Sequence, residues 1–339
     1  MPPARITIPP GRPTASGSPL SPSGRPGSDS LRGWVPSWSP DGTRLAYTGR
    51  IRRPTRLALV PVEGGVPTVL VEEVGFSGRP AWSPDGKCIA YRNRDQQIAA
   101  VPAVGGSPEI ILAGAQSYLH PSWSPDGSLM ALVVLEENSS GASIWTKSLS
   151  GGELEPLTLG GAGSDWAPSW SPDGESLAFM SERSNSQDIW TIPALGGRPV
   201  QLTTYSGPDL WPFWLPGGSQ IAFASNRNWG GEWLWDLWAV PAAGGTPHRI
   251  FSGNSGKLWH PSISPDGTLV AYASEGTGGD LYVSPLKGGT PRLLATSGYR
   301  PSFSPDGTRI AYYQNDSIGV SIFIADVSRI VNPGFEIEL

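Results

Sequence analysis

The chain has 339 residues, with 24 Lys and Arg against 29 Asp and Glu, a net charge of −5 and a pI near 5.3. This balance excludes nucleic acid as the main partner, because neutralising phosphates takes a basic face. No apolar run reaches the roughly 18 residues that a membrane-spanning helix needs, so no membrane insertion is expected. Glycine (44) and proline (36) are abundant, and the one cysteine, Cys88, excludes an internal disulfide.

Taken in chain order, residues 1–10 hold the short β-prone run Pro3-Ala4-Arg5-Ile6-Thr7-Ile8. The start has no apolar stretch of the signal-peptide kind. As written the chain reads as cytoplasmic, and as extracytoplasmic if a leader segment precedes it. Residues 11–33 are rich in Gly, Pro and Ser with scattered Arg, the composition of a flexible segment without a core of its own.

From residue 34 onward one pattern recurs to the end of the chain. Trp170-Ser171-Pro172-Asp173-Gly174 has copies at Trp38–Gly42, Trp82–Gly86, Trp123–Gly127, Ile263–Gly267 and Phe303–Gly307, and a degenerate one at Trp214-Leu215-Pro216-Gly217-Gly218. Proline presets φ for a turn, and Asp-Gly supplies the residues that turns favour. The anchors 41, 85, 126, 173, 217, 266 and 306 are spaced by 40 to 49 residues, the period of a four-stranded propeller blade. Each repeat parses into four strands. Strand a ends on the aromatic, as in Pro121-Ser122-Trp123, and strand b follows the turn, as in Ile221-Ala222-Phe223. Strand c opens on Asp, as in Asp188-Ile189-Trp190, Asp236-Leu237-Trp238 and Asp280-Leu281-Tyr282. A Gly-Gly pair then leads into strand d, such as Pro199-Val200-Gln201-Leu202-Thr203. The predicted fold is all-β: one seven-bladed β-propeller over residues 34–339. The seventh repeat lacks the Gly-Gly pair and a strand d. Residues 4–8 are predicted to complete that blade and close the ring, because an open ring would expose unpaired strand edges. Gly334-Phe335-Glu336-Ile337-Glu338 is the rival latch.

The string Trp-Ser-Pro-Asp-Gly, Leu-Ala-Phe, Asp-Ile-Trp, Gly-Gly, Leu-Thr, complete at residues 170–203, resembles the WD40-like PD40 repeat of TolB-type β-propellers. The resemblance covers roughly residues 34–326. Propellers of this kind include a periplasmic adaptor, the gating domains of prolyl-oligopeptidase-like enzymes and some sugar-acid lyases. The TolB propeller has six blades and a separate N-terminal domain, whereas this sequence repeats seven times.

The recurring turn aspartates sit one per blade and read as turn anchors rather than metal ligands. The tryptophans that recur in strand a read as inter-blade core. By topology the d–a and b–c loops share one face, and it is the more variable one, which points to function there. The sharpest variable column on that face is the residue before the strand-a proline, which borders the channel mouth: Val35, Arg79, His120, Ala167, Trp211, His260 and Arg300. Two Arg and two of the three His in one column suggest an anion-accepting mouth, since Arg grips carboxylates in a bidentate fork and His titrates near neutrality. Trp229 and Trp233, in an enlarged b–c loop, are candidate peripheral contacts. His120 and His260 lie three blades apart and His248 falls in strand d, so no metal site is expected, and no cofactor is implied. There is no Gly-x-Ser-x-Gly elbow. These features predict a monomeric, non-catalytic module that holds a peptide, a protein partner or an acidic saccharide at its mouth. The alternatives are a propeller enzyme acting on an acidic polysaccharide, with Glu136, Glu137, Glu182 or Asp316 folding inward as the missing carboxylate, and a gating or sensor propeller of a larger protein.

Overall fold

A computed structural model describes residues 4–6, 36–49, 55–75, 79–114, 116–135, 141–159, 163–229, 234–253, 258–274, 279–316 and 319–328. It contains seven antiparallel sheets of four strands each, arranged as a seven-bladed β-propeller. Blades 1 to 6 span residues 37–71, 81–112, 117–156, 165–201, 209–252 and 259–295, with strands a to d in sequence order. Blade 7 takes strands a to c from residues 298–326 and its outer strand from Ala4–Ile6, with Ala4 opposite Ile324, Arg5 opposite Phe323 and Ile6 opposite Ile322. The N-terminal strand therefore closes the ring. The rival latch at 334–338 lies outside the described residues.

Blade 4 shows why the repeat folds as it does. Its strands are Asp165–Trp170, Ser176–Ser181, Asp188–Pro193 and Val200–Gln201. In the a–b turn the Ser171 hydroxyl donates to Asp173 Oδ1 (2.5 Å), and the Glu175 amide donates to the same oxygen (3.0 Å). The Ser176 amide donates in turn to Ser171 Oγ at 2.9 Å. Gly174 takes φ +75°, which a β-carbon would resist. Six blades share this turn. The same serine hydroxyl and backbone amide hold the carboxyls of Asp41, Asp85 and Asp126 down at about 2, the hydroxyl having the larger effect. Blade 5 has Leu215 and Gly217 in place of the Ser and Asp, and keeps the two backbone bonds of the turn, from the Leu215 amide to the Gln220 carbonyl at 2.9 Å and from the Gly218 amide to the Leu215 carbonyl at 3.1 Å.

The aspartate that opens strand c is a buried brace. Asp188 accepts from Ser184, Ser186, Gln201 and Thr203, while the Ile189 amide donates to Thr203 Oγ1. The b–c loop and the end of strand d are thereby tied to one carboxylate, which accounts for the Leu-Thr pair in the repeat.

Between blades the core divides into seven apolar clusters, one at each interface. The cluster of Trp38, Leu45, Tyr47, Ala311, Ile322 and Ile324 joins blade 1 to blade 7. The strand-a tryptophans also stitch the ring through their indole N–H groups. Trp38 donates to the Ser302 carbonyl (2.9 Å), Trp82 to Ser37 (3.0 Å), Trp123 to Ala81 (3.0 Å), Trp170 to Ser122 (3.1 Å) and Trp214 to Ser169 (3.1 Å). Each bond reaches the preceding blade at the residue just before that blade's own aromatic. Blades 6 and 7 carry Ile263 and Phe303 there, and the Phe303 amide instead donates to Ser262 Oγ at 3.3 Å.

Candidate functional site

Strands a of neighbouring blades touch one another, while strands d carry the exposed positions, so strands a surround the central axis. In blades 3 to 7 strand a is interrupted by a bulge: the pairing skips between Leu119 and Ser122, Trp166 and Ser169, Leu210 and Phe213, Trp259 and Ser262, and Tyr299 and Ser302. The column residue sits in each gap, in the left-handed region: His120 φ +53°, Ala167 +54°, Trp211 +52°, His260 +48° and Arg300 +48°. A non-glycine residue held there costs roughly 1–3 kcal/mol. A bulge also re-aims side chains. Because Ala167 shares this backbone, the bulge belongs to the fold, and each blade fills it with a different side chain. Proline follows at every one of these positions and supplies no backbone donor to the ladder.

The column residues come together from several blades. Arg79 of blade 2 reaches past blade 1 to blade 7, where its guanidinium donates to Ser302 Oγ at 2.9 Å. It is crowded by protein on all sides yet keeps surface open to solvent, as a side chain standing in an open channel should. Burial lowers its pKa, and the charge of Arg300 adds to the effect. Burial likewise lowers His120, helped by Arg300 and then Arg92. His260 is pushed down to about 3, by burial first and Arg300 second. The His260 imidazole is therefore neutral at neutral pH. Arg300 also hydrogen-bonds the Tyr313 hydroxyl, and the Tyr313 ring stacks on Tyr299 with centroids 5.5 Å apart. Among the described residues, the charges acting on Arg79, His120 and His260 are the positive ones of Arg300 and Arg92.

On the other side of the mouth the column continues into aromatics. Trp211 is 40% exposed. Its ring lies 5.9 Å from Trp259, 6.1 Å from Trp235 and 6.4 Å from His260. Trp235 is buried, so its place is beneath the mouth. Trp229 is half-buried in a turn, its amide donating to the Asn226 carbonyl. Trp233, Val35, Glu136 and Glu137 lie outside the described residues, as does the side chain of Asp316. Glu182 accepts from Gln187 within its own loop at 2.9 Å.

Two features of this face escape sequence reasoning. Trp259 joins the aromatic group from the position before the column, which the repeat does not mark. Arg183 and Arg227 pair with the buried Asp165 and Asp209, each at 2.6 Å, where strand a begins. Arg227 also covers the Trp238, Tyr205 and Phe223 rings. The Ser-x-Arg spacing at Ser181–Arg183 and Ser225–Arg227 is the one sequence signal for these pairs. Among the described residues no group of three or more His, Cys, Asp or Glu could hold a metal ion, and no helix is long and apolar enough to cross a membrane.

Residues 91–331 match the family model of the TolB β-propeller domain, PD40. The chain belongs to the TolB β-propeller family. No curated protein sequence matches this TolB-family propeller. Among solved structures, it is similar to the oligogalacturonate lyase of Vibrio parahaemolyticus (TM-score 0.73, 16% identity, covering 88% of this chain and 90% of that one). An oligogalacturonate lyase in complex with manganese aligns equally well (TM-score 0.73, 16% identity, 87% and 89%). A putative TolB from Agrobacterium tumefaciens aligns at TM-score 0.57 and 23% identity, over 77% of this chain and 93% of that one. At these identities the likeness is one of fold.

Proposed function

We propose that this propeller is a non-catalytic binding module whose channel mouth takes a carboxylate-bearing ligand. One observation carries the reading: Arg79, His120, His260 and Arg300 converge from four blades, and among the described residues no carboxylate acts on them. Like charges gathered at one site destabilise it, so such a cluster makes sense as a place that an anion completes. The arginines stay charged at any physiological pH. The neutral imidazole of His260 contributes hydrogen bonds rather than charge, His120 adds a second ring, and Trp211 offers an open aromatic face beside them. Trp229 and Trp233 are peripheral candidates.

A second reading, a propeller lyase acting on an acidic polysaccharide, draws support from the fold shared with oligogalacturonate lyases. Its difficulty is a matter of donors. His120 and His260 belong to non-adjacent blades and His248 to an outer strand, so the described residues do not fit a histidine-rich manganese site.

The test is a thermal-shift screen against carboxylate-ended peptides, acidic oligosaccharides and tricarboxylates, since a ligand that binds the native state raises the melting temperature. A shift abolished by Arg79→Ala and by Arg300→Ala is expected. Shifts that persist unchanged in both variants would overturn the reading. Manganese-dependent breakdown of oligogalacturonate by the purified protein would favour the lyase.

A further inference from the structure

On the face opposite the mouth, where the a–b and c–d turns gather, blades 5 and 6 part to leave a groove of about 810 Å³. Ligand clefts span about 300–1,000 Å³, so this one has the room of a binding site. Its walls are Leu215 and Pro216 of the blade 5 turn, the outer strand His248–Ser252, Asp266 and Gly267 of the blade 6 turn, and the turn at Leu286–Gly289. The blade that borders it is the one whose turn departs from the repeat. Leu215 stands where the other six blades have serine, so an apolar side chain replaces a hydroxyl. With Ile250, Phe251 and Leu286 it makes an apolar floor: Phe251 and Leu286 are buried, Leu215 and Ile250 half-buried.

Three cations rise from this floor. His248 and Arg249 are exposed on the blade 5 wall and Lys287 on the blade 6 wall. Their places in the repeat make them exceptions. Arg249 lies opposite Trp238 of strand c, and its counterparts in blades 1 to 4 and 6 are Val69, Ile110, Pro156, Gln201 and Leu293. Only blade 7, with Arg5, has another cation there. Lys287 precedes its Gly-Gly pair, where the other c–d turns carry Glu63, Val104, Ser150, Leu195 and Ala243. Among the described residues, only this seam has a cation at both places. The one acid on its walls is Asp266, and its own turn occupies it: it accepts from the Ser264 hydroxyl (2.6 Å), the Thr268 amide (3.0 Å) and the Thr268 hydroxyl (2.9 Å). Arg249 touches the buried Asp236 at 3.4 Å and stays half exposed.

We infer that this groove docks an extended acidic peptide of a partner protein, with carboxylates on Lys287 and Arg249 and an apolar side chain between them on Leu215 and Ile250. Cations on two facing walls with an apolar strip between suit a chain that alternates acidic and apolar residues. A single phosphate would need them clustered. The wall itself favours an extended chain. His248–Ser252 is the longest of the outer strands, at 5 residues, and among the described residues it ends its sheet, so its edge offers backbone groups to a neighbour. The site is separate from the mouth and owes nothing to the carboxylate reading of the mouth.

The experiment is fluorescence anisotropy on the full chain with a labelled short peptide in which glutamate alternates with leucine. The comparison probes are the same peptide with glutamine for glutamate, the same with serine for leucine, and a labelled single-stranded oligonucleotide. Lys287→Gln should weaken the glutamate–leucine peptide about two- to fivefold, and Lys287→Gln together with Arg249→Gln about tenfold. Leu215→Ser restores the residue that six blades carry, so the fold should survive, which the melting temperature verifies; it should weaken the peptide about three- to tenfold. Both comparison peptides should bind at least about fivefold more weakly. Because glutamate also suits the mouth, each titration is repeated with Arg300→Ala, where the groove alone should still hold the peptide. A peptide that no longer binds with Arg300→Ala, and that ignores Lys287→Gln and Leu215→Ser, would belong to the mouth and overturn the groove. A glutamine peptide that binds as well as the glutamate one, an oligonucleotide that binds more tightly, or no binding of the glutamate–leucine peptide would overturn it too.

Discussion

Replacing Trp38 with Phe tests ring closure and the stitching bonds together. The Trp38 indole N–H donates to the Ser302 carbonyl at 2.9 Å, across the seam between the first and last blades. Phenylalanine keeps most of the apolar contact with Leu45, Tyr47 and Ile324 but leaves a buried carbonyl unpaired. That costs about 1–3 kcal/mol, and the smaller ring adds about 1 kcal/mol of lost packing, so a loss of roughly 2–4 kcal/mol is expected. Trp214→Phe provides the comparison, because Trp214 makes the equivalent bond to the Ser169 carbonyl at 3.1 Å inside the array. Urea denaturation followed by far-UV circular dichroism should show both variants with a lowered midpoint and an unchanged m-value. Equal losses mean that the seam is as firm as any other interface. A loss below about 0.5 kcal/mol for Trp38→Phe, beside a full loss for Trp214→Phe, would refute the closed ring.

Further outcomes follow from the same geometry. Deleting residues 1–8 removes the outer strand of blade 7 and exposes an unpaired edge; the truncated chain should melt lower and self-associate in sedimentation, whereas an unchanged melting temperature would mean that the latch is dispensable. Acid should destabilise the protein in two stages. His260 has a folded pKa near 3 against an ordinary 6.5, so its contribution is full above pH 6.5 and is lost as pH falls toward 3. The turn aspartates Asp41, Asp85 and Asp126, at about 2, contribute fully above pH 4 and lose that contribution as pH falls to 2. Denaturation at stepped pH should show His260→Gln flattening the first stage only, and an unaltered profile would count against the buried neutral imidazole. Carboxylate binding should vary less than threefold between pH 8 and 6.5, because the attraction comes from arginine. A tenfold gain across that range would instead mark titrating histidines. Arg300→Gln should weaken tricarballylate, a tricarboxylate, at least tenfold while shifting the melting temperature by no more than about 2 °C.

The architecture was legible because a propeller writes its fold into local chemistry. A turn that needs Ser, Pro, Asp and Gly in fixed order cannot vary much, and seven copies reveal the period even where Leu215 and Gly217 spoil one. The missing strand of the seventh repeat could be found because Ala4–Ile6 resembles the other outer strands. The mouth was legible as a column, since every member precedes a proline. Its electrostatics were not. The neutrality of His260 comes from burial and from Arg300 one blade away, and no sequence window contains both. Trp259 and Trp235 were hidden for a related reason: with 15 tryptophans in the chain, only the bulges show which of them gather beneath Trp211. The stitching bonds were invisible too, because their acceptors are backbone carbonyls, which carry no residue signature.

The most direct test of the central claim is a crystal structure of the protein with tricarballylate. A carboxylate within hydrogen-bond distance of Arg300 or Arg79 is the predicted result. A ligand seated away from the mouth, or a mouth left empty at saturating concentration, would contradict it.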